Sequence, residues 1–267
     1  VYHTIQTEID QGVGIITLNR PERHNAFDAL FIQEMVRAVG AMGRDDAVRV
    51  VVLSSTGRSF CAGADLDWMA RAAALSSEEN FKDARVMAEM LKRLATMPKP
   101  TIARIQGSAF GGGVGLVAAC DIAISTFEAQ FCLSEVKLGL IPAVISPHVI
   151  GAIGERHARR YMLTAERFSA AEAYRIGLVH EMVADEAGLD EAVGQIVSAL
   201  LQNGPRALAE GKDLIRTVVQ QSGSPDLIDD LARRIARARV SDEGREGVTA
   251  FLEKRKPAWI KTFGDES

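Results

Sequence analysis

Three consecutive glycines, Gly111-Gly112-Gly113, stand in the segment IQGSAFGGGVGLVAACDIAIS, between a strand-like run and a short apolar helix. A ligand can lie directly against a backbone that carries no side chains. A helix that starts there aims unpaired N–H groups and the positive end of its dipole at whatever is bound. That combination stabilises an oxyanion, and losing one such donor slows a reaction by about a hundredfold or more. A second loop, RSFCAGADLDWM, runs from Arg58 to Met69 after another strand-like run. Glycine-rich strand–helix turns also serve simply to pack a helix on a strand, so the triple glycine alone does not decide the chemistry.

The elements that would hold these loops alternate between strand and helix. Tyr2–Glu8 and Gly14–Leu18 read as strands joined at Asp10–Gly12. Phe27, Leu30, Phe31, Met35 and Val39 recur at helical spacing. VRVVVLSS is a β-branched apolar run of the kind buried on both faces. Ser77 with Glu78 and Glu79 opens a helix whose Phe81, Ala84, Ala88, Leu91 and Leu94 share a face, and Pro98 and Pro100 end it. TIARIQG and DIAIS are strands on either side of the glycine turn, and Ser169-Ala-Ala-Glu172 is a capping box. From about Asp185 the chain reads as helical, with breaks at Gly204-Pro205 and Ser222–Pro225. The expectation is an α/β fold of repeated β-β-α turns, with residues 1–200 as its core and 201–267 as a C-terminal helical region.

Composition narrows the function classes. At 47% hydrophobic and 25% charged, the 267 residues suit a globular domain with a sizeable core. A net charge of −4 disfavours a nucleic acid partner. The three cysteines, Cys61, Cys120 and Cys132, lack metal-ligand spacing, and the five histidines do not cluster, so no metal is expected. The uncharged run Ile105 to Cys120 is shorter than the roughly 20 residues a membrane helix needs and is rich in glycine, so no membrane role is expected. The opening VYHTIQTE is polar and β-like, and free thiols suit a reducing compartment; both set the expectation of a cytoplasmic or equivalent matrix location.

Five segments in order, RPERHNAFD, SFCAGADL, the triple glycine with CDIAIS, FCLSEVKLGLIP and FLEKRKPAW, resemble the crotonase (enoyl-CoA hydratase/isomerase) superfamily along nearly the whole chain. The resemblance implies a ClpP-like spiral of β-β-α units with a C-terminal trimerisation region, assembled as a homotrimer or a homohexamer of two trimers. It implies an acyl-CoA thioester as substrate, with no cofactor besides the coenzyme A that the substrate itself carries. Ala64 matches the first oxyanion-hole amide and Gly112 the second, beside Gly111. The stretches Arg23 to Ala26 and Ala62 to Leu66, with Gly63 and Asp65 inside the second, match walls that bind the bent CoA. Gly115 and Leu140 fall in matched pocket segments, and Phe251 and Lys254 match a terminal segment that can reach CoA, sometimes from a neighbouring subunit.

Hydratases of this family typically carry two glutamates across the substrate double bond. Glu135 matches the second, whereas the first position is Gly115. Glu135 precedes the apolar stretch Leu138 to Ile145, which is expected to border a dry acyl pocket and to raise its pKa towards neutrality. One carboxylate can activate water and return the proton to carbon. It can also shuttle a proton between two carbons, as a Δ3,Δ2-enoyl-CoA isomerase does, and a non-catalytic acyl-CoA-binding subunit is a third reading. AGADLDWM and GLIPAVISPHVIGAIGERHARRYMLTAERF resemble the bacterial methylglutaconyl-CoA hydratase branch of leucine catabolism, whose members can carry glycine at this position. The leading expectation is therefore hydration of a branched enoyl-CoA. His148 and Lys137 are candidate cations for a carboxylated substrate, and Trp68 and Met69 are expected in the pocket wall or core.

Overall fold

The structure, a computed structural model, describes residues 1–260. A first hairpin pairs β1 (Ile5–Asp10) antiparallel with β2 (Val13–Leu18), and alternation in β2 buries Gly14, Ile16 and Leu18. Helix α1 (Ala29–Arg44) leads to β3 (Val50–Ser55), which runs parallel to β2 and is buried at every residue. Its unbroken apolar sequence is what a strand covered on both faces requires.

From β3 onward one pattern recurs: a strand, a second short strand, then helix. β3 is followed by β4 (Ser59–Cys61) and by helices α2 (Leu66–Ala73) and α3 (Ser77–Ala95). β5 (Thr101–Ile105) is followed by β6 (Ser108–Phe110) and α4 (Gly112–Ala119). β7 (Ile122–Thr126) is followed by β8 (Gln130–Cys132), a 3-10 turn at Glu135–Leu138 and α5 (Ser146–Thr164). The chain then forms β9 (Phe168–Ser169), α6 (Ala170–Arg175), β10 (Glu181–Val183) and α7 (Glu186–Leu201). Helices α8 (Pro205–Gln220), α9 (Leu227–Val240) and α10 (Asp242–Leu252) complete it.

The first strand of each unit enters a six-stranded sheet ordered β1-β2-β3-β5-β7-β10, and the second enters a four-stranded sheet ordered β4-β6-β8-β9. β4, β6 and β8 are mutually parallel, so their C-terminal ends lie at one edge of the smaller sheet. Helix α7 packs on the larger sheet over Val50, Val52, Ile102 and Ile124. Arg49 and Lys212 tie the C-terminal helices to the core. Arg49 donates to the carbonyls of Asn203 (2.7 Å) and Trp259 (3.2 Å), and Lys212 pairs with Asp121 at 2.6 Å. Among the described residues no helix is long and apolar enough to cross a membrane.

Several local expectations need correction. Phe27 is not on the first helix: α1 begins at Ala29, and Asp28 caps it by accepting from Phe31 N at 2.9 Å. The reciprocal box that opens α3 is Ser76 with Glu79, because Ser77 is already inside the helix. On α3, Leu91 and Leu94 are buried with Met87 and Met90, whereas Phe81 is 58% exposed. Ser169 does cap α6, but Glu172 turns instead to Arg175 and the Tyr161 hydroxyl, so the box is one-sided. The stretch Leu138 to Ile145 is not a dry wall within one chain: Leu138, Leu140 and Ile141 are exposed and only Ile145 is fully buried.

The turn after β2 is held by Asn25, fully buried and in the left-handed region at φ 54°. Its Oδ1 accepts from Arg20 N (2.8 Å), while Nδ2 donates to Thr56 O (2.8 Å) and Ser59 O (2.9 Å). One side chain thus joins the turn after β2 to the loop that enters β4. Asn25→Ala leaves an amide and two carbonyls without that partner and should destabilise the fold by about 2–3 kcal/mol. Urea unfolding with an unchanged m-value is the check, and a loss within the error of wild type would contradict it.

Candidate active site

Ala64, Gly112 and Glu135 each lie just past the end of β4, β6 and β8 respectively, so the parallel order of those strands brings them to the same sheet edge. Ligands of open parallel sheets bind outside the carboxyl ends of the strands for the same reason. The first two loops interlock through absent side chains. Gly63, at φ 89°, lies so close that a β-carbon on it would fall 2.8 Å from Phe110 O and 3.6 Å from Gly112 N. A β-carbon on Gly113 would fall 2.3 Å from Cys61 O. Gly111 turns the chain into α4 at φ 50°, with its N–H on Cys132 O at 2.8 Å.

Ala64 is bridged in parallel to Phe27: Phe27 N donates to Gly63 O (2.8 Å) and Asp65 N donates to Phe27 O (2.9 Å). In that geometry the N–H of Ala64 points away from Phe27. Among the described residues neither Ala64 N nor Gly112 N donates to any protein acceptor, and Gly112 is buried in the first turn of α4. Ala64 is half-buried and Gly112 buried, and two such N–H groups on adjoining loops without acceptors are donors that can hold an anionic oxygen.

Glu135 reaches this edge from the third loop. A β-carbon on Gly111 would stand 3.2 Å from its Oε1, while Oε2 is buried and accepts no hydrogen bond from any described residue. Burial pushes the carboxyl above the ordinary glutamate range, only partly offset by its own backbone N–H. Leu138, Leu140 and Ile141, which follow it, are themselves exposed. At Gly115 there is no room for a second carboxylate: a β-carbon would fall 2.3 Å from Ile145 Cγ2 and 2.8 Å from Ile145 Cβ.

The other predicted residues are spread along the rim or beyond it. Ala26 is buried, Ala62 is half-buried, and Arg23 is exposed and paired with Asp67 at 3.2 Å. The buried Asp65 carboxylate accepts from Asp67 N (2.9 Å) and pairs with Arg20 (3.0 Å). Burial raises its pKa, and those backbone bonds together with Arg20 outweigh the rise and hold it low. Leu66 and Leu140 are exposed. Phe251, 82% exposed on α10, and Lys254 beyond it are not among the residues brought to this cluster. Trp68 packs edge-on to Phe27, with ring centroids 6.0 Å apart. His148 lies along a cavity of about 390 Å³ with Val117, Cys120 and His180, towards the opposite end of α4 from Gly112. Burial lowers its imidazole pKa, which makes it a poor cation for a substrate carboxylate. Cys61 adjoins the site, but burial pushes its thiol up to about 12, which rules out a thiolate nucleophile.

The Enoyl-CoA hydratase/isomerase family pattern matches residues 8–262. The chain belongs to the enoyl-CoA hydratase/isomerase family. A crystal structure of an enoyl-CoA hydratase from Shewanella pealeana superposes with a TM-score of 0.94 at 44% identity, covering 96% of each chain. An enoyl-CoA hydratase from Mycobacterium smegmatis superposes at 0.90 with 32% identity over 97% of this chain and all of that one. Enoyl-CoA hydratase ACTT6 of Alternaria alternata is 34% identical over 251 residues, 91% of this chain and 80% of that protein. The spiral α/β fold expected from the sequence is therefore the fold of this family member, and the chain is an enzyme. Sequence reasoning placed Arg20, Asn25 and Ile145 inside matched segments but gave none of their long-range contacts, which no local spacing signals.

A carboxyl with a raised folded pKa favours folding below its unfolded pKa, and that advantage is lost as pH rises through the folded value. Glu135→Gln cannot ionise, so its Tm relative to wild type should climb as pH rises from the unfolded glutamate pKa through the raised folded one. Calorimetry across that range is the check; a difference that shrinks with pH contradicts the buried placement.

Proposed function

We propose that the chain hydrates an enoyl-CoA, with Glu135 as the one acid/base and Ala64 and Gly112 as the oxyanion hole. The observation that carries this reading is the pair of acceptor-free amides beside a half-buried glutamate whose Oε2 is buried and unpartnered. The thioester oxygen would lie against the two amides. Glu135 takes a proton from water as the water oxygen bonds to carbon three, and the double-bond electrons move onto the thioester oxygen as an enolate. The two N–H groups hold that charge. Protonated Glu135 then returns its proton to carbon two, so one carboxyl serves both half-steps. Ile145 against Gly115 leaves no carboxylate on the other side, which is why a single-carboxylate route is proposed.

The substrate proposed is a branched enoyl-CoA of the 3-methylglutaconyl type, supported by the branch-like segments Ala62 to Met69 and Gly139 to Phe168 and by glycine at position 115, and placing the enzyme in leucine catabolism. No cofactor is required, because coenzyme A arrives with the substrate. Assembly as a homotrimer or homohexamer is proposed with it, supported by the exposed Ile215, Val219, Ile228 and Phe251 on α8, α9 and α10. In such an assembly Phe251 and Lys254 would serve a neighbouring subunit's CoA.

Crotonyl-, 3-methylcrotonyl- and 3-methylglutaconyl-CoA in ¹⁸O-water form the test. The expected result is one solvent oxygen on carbon three, the highest kcat/KM with the carboxylated branched substrate, and a loss of about 10²–10⁴ in Glu135→Ala. Turnover without oxygen incorporation would replace hydration with isomerisation, and an unimpaired Glu135→Ala would remove the carboxylate from the mechanism.

A further inference from the structure

Phe27 touches both halves of the amide pair by two independent means. Its backbone brackets Ala64, donating to Gly63 O at 2.8 Å and accepting from Asp65 N at 2.9 Å. Its ring closes on the other half: a β-carbon on Gly112 would fall 2.2 Å from Phe27 Cζ and 2.6 Å from Cε1. The ring tip is therefore seated on the α-carbon of Gly112. The side chain is 1% exposed and is backed by Phe31 and Trp68, with ring centroids 5.9 Å and 6.0 Å away. Met87 supports the same spot, its Cε lying 3.0 Å from the β-carbon position of Gly112.

We propose that Phe27 is a positioning residue that sets the spacing and aim of the Ala64 and Gly112 amides as a rigid gauge between their two loops. The proposal rests on those amides forming the oxyanion hole. The two amides belong to separate units of the spiral, and packed interiors transmit small displacements instead of absorbing them. A donor pair is catalytic only while both N–H groups point at one oxygen, and a misplacement of about 1 Å can slow a reaction about a hundredfold. The same contact explains why Gly112 tolerates no side chain. Proline there would strike the ring as well as remove the N–H, so Gly112→Pro confounds the two effects.

The test varies the ring and leaves the bracketing backbone in place. Phe27→Leu removes the ring tip, and Phe27→Tyr drives a hydroxyl from Cζ onto Gly112, an opposite displacement without a cavity. Both should lower kcat at least about tenfold with KM changed less than about threefold, since the loss falls on the transition state. The carbonyl stretch of a bound acyl-CoA, read by Raman difference spectroscopy, should lose much of its wild-type downshift in both. A residue that only fills the core would lower Tm and leave the stretch and the kcat of folded enzyme unchanged, and that result would overturn the proposal. If Phe27→Leu does not fold, Phe27→Met, whose flexible unbranched side chain fills irregular gaps, takes its place under the same criteria. Absence of any downshift in wild type would defeat the oxyanion-hole reading itself. A wild-type downshift fully retained in the variants would defeat only the role of Phe27.

Discussion

The proposed site depends on two backbone N–H groups, those of Ala64 and Gly112, that have no protein acceptor among the described residues. Donors oriented in advance stabilise developing charge because no reorganisation is needed when it appears. The smaller sheet provides that orientation. Its strands β4, β6 and β8 end at one edge, and just past each end lies one residue of the proposed site, Ala64, Gly112 or Glu135. Close approach of the first two loops requires Gly63 and Gly113, where any side chain would strike a carbonyl of the opposing loop.

Function and stability pull against each other at Glu135. Burial raises its pKa, which suits the proton-carrying role proposed for it, and the same burial penalises its ionised form in the folded protein. Elsewhere the chain treats buried carboxylates the other way. Glu34 is fully buried, but Thr4 and His3 satisfy it: their amides and the Thr4 hydroxyl donate at 2.6–3.0 Å and, against the desolvation, hold its pKa down. One buried carboxylate is locked in place by donors, and the other keeps an oxygen free.

Much of this was legible in the residues. The long runs that became β3, β5 and β7 announce themselves by β-branched apolar content, and the triple glycine marks a backbone meant to be approached. The smaller sheet was not legible, because its strands β4, β6 and β8 are three residues each and too short for any periodicity to emerge. Phe27 looked like the first apolar position of a helical stripe because its spacing to Phe31 fits one, yet Asp28 caps the helix after it. The raised pKa of Glu135 was expected from the apolar sequence that follows it, yet Leu138, Leu140 and Ile141 in that sequence are exposed. Helix α5 carries no clean apolar stripe and is interrupted at Gly154, φ 74°, so pattern alone gives little hold on it.

Replacing Ala64 by L-lactic acid is the most direct measurement, since it exchanges one N–H for an ester oxygen and keeps the methyl group and chain path. The account predicts a folded protein with unchanged Tm whose kcat for enoyl-CoA hydration falls by about a hundredfold or more. Hydration at the wild-type rate by that ester variant would contradict the claim that the Ala64 amide holds the thioester oxygen.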